Sequence, residues 1–129
     1  MRPEAEGTVY PPVTFIVDPD RVRAFGAVLN QTSGVPPTFF AVAEFTVLPQ
    51  VFGDPRLGLD PRRVVHTSQS YLYERPLEEA ETLEVHAFLE SVKHRGGTGF
   101  LTVLMELREP GGALVATARS SLIERELPA

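Results

Sequence analysis

The chain has 129 residues, 43% hydrophobic and 22% charged, with a formal net charge of -5 and a pI near 5.2. That length is one domain able to build its own core, and the acidic balance removes the basic footprint through which proteins hold nucleic-acid phosphates. With no cysteine, a disulfide framework, a thiol nucleophile and a thiolate metal site are all excluded.

The opening Met-Arg-Pro-Glu-Ala-Glu-Gly is too polar for a signal peptide. No apolar run approaches the roughly eighteen residues of a membrane span, so the expected location is the cytoplasm, with no membrane partner. Thr8–Val17 is rich in β-branched and aromatic residues, and Pro11-Pro12 confines regular pairing to Val13–Val17, which predicts an edge strand. Asp18-Pro19-Asp20 is a helix start, with Asp18 as N-cap, Pro19 at the first helical position and Asp20 near the positive end of the dipole. The helix should run to about Leu29, turning Val22, Phe25, Ala27, Val28 and Leu29 inward and leaving Arg21 and Arg23 in solvent. Asn30–Gly34 (NQTSG) is the polar loop that stops it.

Gly34–Leu48 (GVPPTFFAVAEFTVL) predicts a short helix entered through a double proline, apolar on nearly every side, with Glu44 as its one carboxylate. Such a helix has to be buried all round. Pro49–Arg63, with Gly53, Asp54-Pro55, Gly58 and Asp60-Pro61, reads as a long irregular loop.

From Val64 the pattern changes to strand and turn. Val64–Glu74 places Val65, Thr67, Gln69, Tyr71 and Tyr73 on one face and Val64, His66, Ser68, Ser70 and Leu72 on the other. A turn at Arg75–Ala80 leads to Thr82–Arg95, where Leu83, Val85, Ala87, Leu89 and Ser91 alternate with Glu84, His86, Phe88 and Glu90. Gly96–Gly99 makes a hairpin, Phe100–Arg108 alternates again, and Glu109–Gly112 turns the chain into a last strand at Ala113–Glu124. The expected class is α+β: a single hot-dog fold, one long antiparallel sheet wrapped around a central apolar helix.

Three segments carry a resemblance: Val65–Leu77 (VHTSQSYLYERPL), Leu89–Gly97 (LESVKHRGG) and Gly112–Ser120 (GALVATARS). In this order, after the Asp18-led helix and Val35-Pro36-Pro37-Thr38-Phe39, they resemble the N-terminal-type domain of the MaoC-like dehydratases. That family is related to the R-specific enoyl hydratases and the heterodimeric 3-hydroxyacyl carrier-protein dehydratases. The resemblance covers most of the chain and implies one hot-dog domain over residues 1–129, acting in fatty acyl thioester metabolism without a cofactor. It implies a thioester of CoA or acyl carrier protein as ligand, and a homodimer or a heterodimer with a catalytic hot-dog subunit. Catalytic members carry a D-x-N-P-x-H segment before the central helix, whose Asp and His move protons as water is added or removed. They also hold the thioester oxygen with a backbone N–H at the helix start. At that place this chain has Asn30–Gly34, with neither Asp nor His, and Pro36 and Pro37 offer no N–H, which leaves Thr38. The resemblance therefore implies a non-catalytic, substrate-binding subunit.

On that reading Thr38, Phe39, Phe40, Phe45, His66 and Gln69 are the substrate-binding candidates, and no catalytic residue is assigned. The three phenylalanines would wall an acyl tunnel, or else simply pack the core. His66 and Gln69 would face a subunit interface or close the strand end by hydrogen bonding. His86 and His94 read as surface residues, and no histidine spacing makes a metal pair, so no metal is expected. Glu44 supports a different class. Val42-Ala43-Glu44 is similar to the end of the H-G-G-V-x-x-x-L-A-E pattern in which hot-dog thioesterases place a glutamate base or nucleophile, although Val35-Pro36-Pro37 replaces its His-Gly-Gly. The alternatives for Glu44 are an arginine partner or exposure to solvent. A purely structural hot-dog interaction subunit is the third reading. At least a dimer is expected on all three, because so apolar a helix has more surface than its own sheet can cover.

Overall fold

In the computed structural model, which describes residues 1–126, five antiparallel strands form a sheet. They are β1 (Val13–Ile16), β2 (Val64–Tyr73), β3 (Thr82–Arg95), β4 (Thr98–Arg108) and β5 (Leu114–Glu124), in the order β1-β3-β4-β5-β2. The last three make a meander. Gly96 and Gly97, at φ +55° and +79°, supply the two positive-φ positions that a two-residue hairpin turn needs to match strand twist. β1 is an edge strand, as Pro11-Pro12 predicted, and β2 is the other edge.

Two bulges reset the alternation. In β3 the register shifts between Leu89 and Ser91, so Leu83, Val85, Ala87 and Leu89 are buried but Val92, not Ser91, follows them inward. In β2 the shift falls between His66 and Ser68, making Thr67 the extra residue. His66 therefore pairs with Leu122, Gln69 with Ser120 and Tyr71 with Ala118, all opposite inward-facing positions of β5. Strict period-two alternation had put His66 and Gln69 on opposite faces, and the bulge unites them.

Helix α1 (Pro19–Val28) starts as expected, with the Asp18 carboxylate accepting from Asp20 N at 3.0 Å. Its end differs. Val28 and Leu29 are exposed, at 84% and 51%, because the chain turns back over Gly26, whose carbonyl accepts from Gln31 N at 2.8 Å. A Cβ on Gly26 would stand 2.5 Å from Gln31 O, so the last turn packs on its own returning chain rather than on the sheet.

The central helix α2 spans Phe40–Phe52, after a 3-10 turn at Pro37–Phe39. It thus begins later than the expected Gly34 and runs through Pro49 into the stretch read as loop. Pro49 removes one helical hydrogen bond, to Phe45 C=O, yet it lies on the exposed side, while fully buried Val47 and Val51 anchor the helix on the other. Phe40, Ala43, Val47 and Val51 pack into a core shared with inward residues of β3, β4 and β5, among them Leu101, Val103, Met105, Leu107, Val115 and Ala118. Each large apolar side chain buried there contributes about 1.5–3 kcal/mol. The helix is not buried all round, as its composition had suggested: Phe45 is 70% exposed, and the sheet covers one side only.

The rest of the supposed loop is tied down. Tyr10 Oη donates to Asp54 Oδ2 at 2.8 Å, and Arg56 grips the same carboxylate with Nε at 3.0 Å and Nη2 at 2.9 Å. The Arg56 guanidinium holds the Asp54 carboxyl down at about 2, and Leu57 and Leu59 close over the core. Among the described residues no helix is long and apolar enough to cross a membrane.

Candidate functional site

The uncovered side of α2 carries Ala41, Phe45, Leu48 and Phe52, spaced so that they form one stripe along the helix. Facing the stripe is the inward surface of β2, where the bulge brings Val64, His66, Gln69 and Tyr71 into line, with Ser120 and Leu122 of β5 behind them. Between the two walls lies a cleft of about 460 Å³, with Pro61 also in its lining. Most of its lining is apolar, while one part is a polar cluster centred on Glu44.

Glu44 is only 4% exposed, and its carboxylate is held from two strands. Tyr71 Oη donates to Oε1 at 2.6 Å and Ser120 Oγ donates to Oε2 at 2.9 Å. Ser120 Oγ also lies 2.5 Å from the Gln69 side-chain amide. The amide atom at that distance is Oε1, and a hydroxyl has one proton, so Ser120 serves either the carboxylate or Gln69 Oε1 at a time. Among the described residues Glu44 enters no ion pair. Neither alternative drawn for it from sequence, an arginine or solvent, is what the structure shows.

The tyrosine is itself firmly placed. Its ring packs on Phe40 with centroids 5.3 Å apart. Burial and the bond to Glu44 push the phenol well above its ordinary range. Next on the same face, Tyr73 Oη donates to the Pro37 carbonyl and pins the entry of α2 to β2.

Of the residues singled out from sequence, the structure brings Phe45, His66 and Gln69 together in the cleft along with Glu44. Phe39 and Phe40 are 1% and 0% exposed; Phe39 meets Phe15 and Phe25, and Phe40 meets Tyr71 and Tyr73. Thr38 is exposed in the 3-10 turn, outside the lining. His94 is exposed and His86 is half-buried beside Glu84. Tyr71 and Ser120 were missed. A signal for Ser120 was present, as the one hydroxyl among the inward positions Ala116, Ala118, Ser120 and Leu122. Among the described residues no three His, Asp or Glu side chains converge as metal ligands would.

Comparison with known proteins places this geometry. Residues 5–118 match the family described as FAS1-like, dehydratase domain region. A UPF0336 protein of Streptomyces avermitilis is 36% identical over 122 residues, covering 95% of this chain and 77% of that protein. The C-terminally truncated HadBC (3R-hydroxyacyl-ACP dehydratase) complex of Mycobacterium tuberculosis superposes with a TM-score of 0.80 at 20% identity, over 92% of this chain and 96% of that one. A MaoC-like dehydratase superposes at 0.78 with 18% identity, over 94% of this chain and 42% of that one. At such identities the two structures share the fold, which is the hot-dog fold expected from sequence.

Proposed function

Because the chain belongs to the FAS1-like dehydratase-region family of MaoC-like hot-dog proteins, we propose that it is the non-catalytic, substrate-binding subunit of a 3-hydroxyacyl-thioester dehydratase or enoyl hydratase. One observation carries the reading. A largely apolar cleft of about 460 Å³ has the size and lining of a site for an acyl chain, yet its imidazole, His66, lies on β2 and not in the segment before α2 where catalytic members of the family carry their Asp and His. Water addition needs one group to take a proton from water and another to deliver one to the substrate carbon. Glu44 is already engaged on both oxygens, and the loop Asn30–Gly34 has neither carboxylate nor imidazole.

The missing groups come from a second hot-dog subunit in a heterodimer. The exposed stripe Phe45–Phe52 and the free edge of β2 are the surfaces such a partner would cover, turning the open cleft into a tunnel. Phe45, His66 and Gln69 line the acyl chain, while Thr38 keeps the N–H that could meet the thioester oxygen at the helix start. Phe39 and Phe40 serve from behind, by fixing α2. The ligand is an acyl thioester of CoA or acyl carrier protein, the working location is the cytoplasm, and residues 1–129 act as one domain without a cofactor.

The reading is tested by purifying the protein from its source and identifying what accompanies it by mass spectrometry. A second hot-dog chain bearing an intact Asp/His segment is expected, and a homodimer alone would contradict it. The position of Glu44 in the cleft favours a second reading, an acyl-CoA thioesterase. A homodimer that hydrolyses acyl-CoA and loses that activity in Glu44→Gln would establish it in place of the first.

A further inference from the structure

We propose that one end of the sheet is a docking surface for an acidic carrier protein, so that the thioester reaches this subunit on its carrier rather than on CoA. The inference rests on the reading of the chain as an acyl-thioester subunit and adds the surface that its partner meets. Among the described residues, six arginines each pair with a carboxylate. Arg2, Arg21, Arg63, Lys93, Arg95 and Arg125 pair with none, and five of these six meet at one end of the fold.

The register puts them there. Val64 of β2 and Gly99 of β4 both pair with Glu124 of β5, and Arg95 pairs with Thr98 across the hairpin. Arg63 therefore precedes β2, Arg125 follows β5 and Lys93–Arg95 closes β3 at the same end, where Arg125 N donates to Arg63 C=O at 2.9 Å. Arg2 joins them beside Met1, whose side chain lies over Gly99. From β3 to β2 is three strand spacings, or about 14 Å. The neighbouring carboxylates are mostly occupied: Asp60 is held by Arg62, Glu124 is buried and accepts from Asp60 N at 2.6 Å, and Glu6 accepts from Val92 N at 3.0 Å. Glu126 lies over Gly97. Arg21 stands apart, on α1, which follows the pairing of Ile16 with Thr82 at the opposite end.

In a chain of net charge -5, an acidic partner is repelled by most of the surface, including exposed Glu74, Glu78 and Glu79 at that opposite end. It is attracted chiefly to the basic end, which orients it as well as drawing it in. The basic end adjoins the cleft, because Pro61 and Val64, on either side of Arg62-Arg63, are in the cleft lining. CoA carries its phosphates on one nucleotide and calls for a pocket that also takes the base. Arg2, Lys93, Arg95 and Arg125 are instead exposed and spread along the rim, an arrangement that fits a row of carboxylates on a protein surface. Exposed pairs of this kind are individually weak, which suits a carrier that docks and then leaves.

The test is isothermal titration calorimetry on the full chain, with any hot-dog chain that copurifies with it. The probes are an acidic acyl carrier protein charged with a dodecanoyl group, and dodecanoyl-CoA. At about 0.1 M salt the carrier is expected to bind at least about tenfold more tightly than the CoA thioester. That advantage should vanish at about 1 M, as the screening length falls from about 10 Å to about 3 Å. Lys93→Glu/Arg95→Glu/Arg125→Glu should weaken carrier binding at least about tenfold and leave dodecanoyl-CoA within about twofold. Lys93→Gln/Arg95→Gln/Arg125→Gln, which removes charge without adding repulsion, should shift the carrier the same way by less, and Arg21→Glu should leave it unchanged. Equal affinity for the two probes, carrier binding that survives both triple substitutions, or an equal loss of dodecanoyl-CoA would overturn the inference while leaving an acyl site in place. Binding of neither probe would overturn the acyl-thioester reading as well.

Discussion

Tyr71→Phe isolates one bond of the cleft cluster. The substitution keeps the ring on Phe40, 5.3 Å away between centroids, and deletes only the hydroxyl that donates to Glu44 Oε1 at 2.6 Å. A hydrogen bond to a charged, buried acceptor contributes about 1.5–3 kcal/mol. With roughly 3–5 °C of Tm per kcal/mol in a domain of this size, the variant should unfold about 5–15 °C lower. Thermal and urea unfolding followed by circular dichroism read the change, with an unaltered urea slope showing that the fold is kept. In a Glu44→Gln background the same substitution should cost only the neutral-pair value of about 0.5–1.5 kcal/mol, so a double-mutant cycle should return a positive coupling. A Tyr71→Phe protein within about 0.5 kcal/mol of the natural one, or a coupling near zero, would refute the view that this hydroxyl holds the carboxylate.

Other outcomes follow from the same contacts. Phe40→Ala, at a fully buried position, should lose about 3–5 kcal/mol by urea titration, whereas Phe45→Ala, at 70% exposed, should change stability little but weaken acyl-thioester binding by calorimetry. Gly26→Ala should destabilise by more than the roughly 1 kcal/mol that a better helix former would return, because its Cβ would meet Gln31 O at 2.5 Å. Asp54 is held at about 2 by Arg56, against an ordinary 3.8. A depressed carboxyl contributes stability that is full above the ordinary value and lost as pH falls through about 2, so acid unfolding in that window should weaken in Asp54→Asn. All three tyrosines, Tyr10, Tyr71 and Tyr73, are pushed above the ordinary 10.0, chiefly by burial. Folding then favours the protonated phenols, and stability falls as pH rises past that value. Ultraviolet titration should show their ionisation together with alkaline unfolding, not before it.

The order of elements was legible because each rests on local chemistry. Asp18-Pro19 starts a helix by capping, Gly96-Gly97 makes a turn by its positive φ, and β3 to β5 alternate against one covered face. The extent of α2 was not legible, since Pro49 is a helix breaker by its own chemistry and is tolerated only because Val47 and Val51 are buried around it. The cleft was half legible. Phe45, His66, Gln69 and Glu44 attracted notice as residues, but their convergence depends on the bulge at Thr67, which period-two reading does not contain. Tyr71 and Ser120 meet Glu44 across 27 and 76 positions of sequence, a distance closed only when α2 packs against the paired β2 and β5. The outward stripe on α2 was hidden for a different reason: an apolar residue facing a cleft has the same composition as one facing a core.

The central claim, that this subunit binds an acyl thioester but needs another to transform it, is tested most directly by enoyl-thioester hydration. The purified chain is assayed alone and after reconstitution with any hot-dog chain that copurifies with it. No hydration above the uncatalysed rate by the chain alone, and turnover on adding the partner, is the predicted result. Hydration by the chain alone would contradict the account, which assigns proton transfer to a partner because Asn30–Gly34 carries neither Asp nor His.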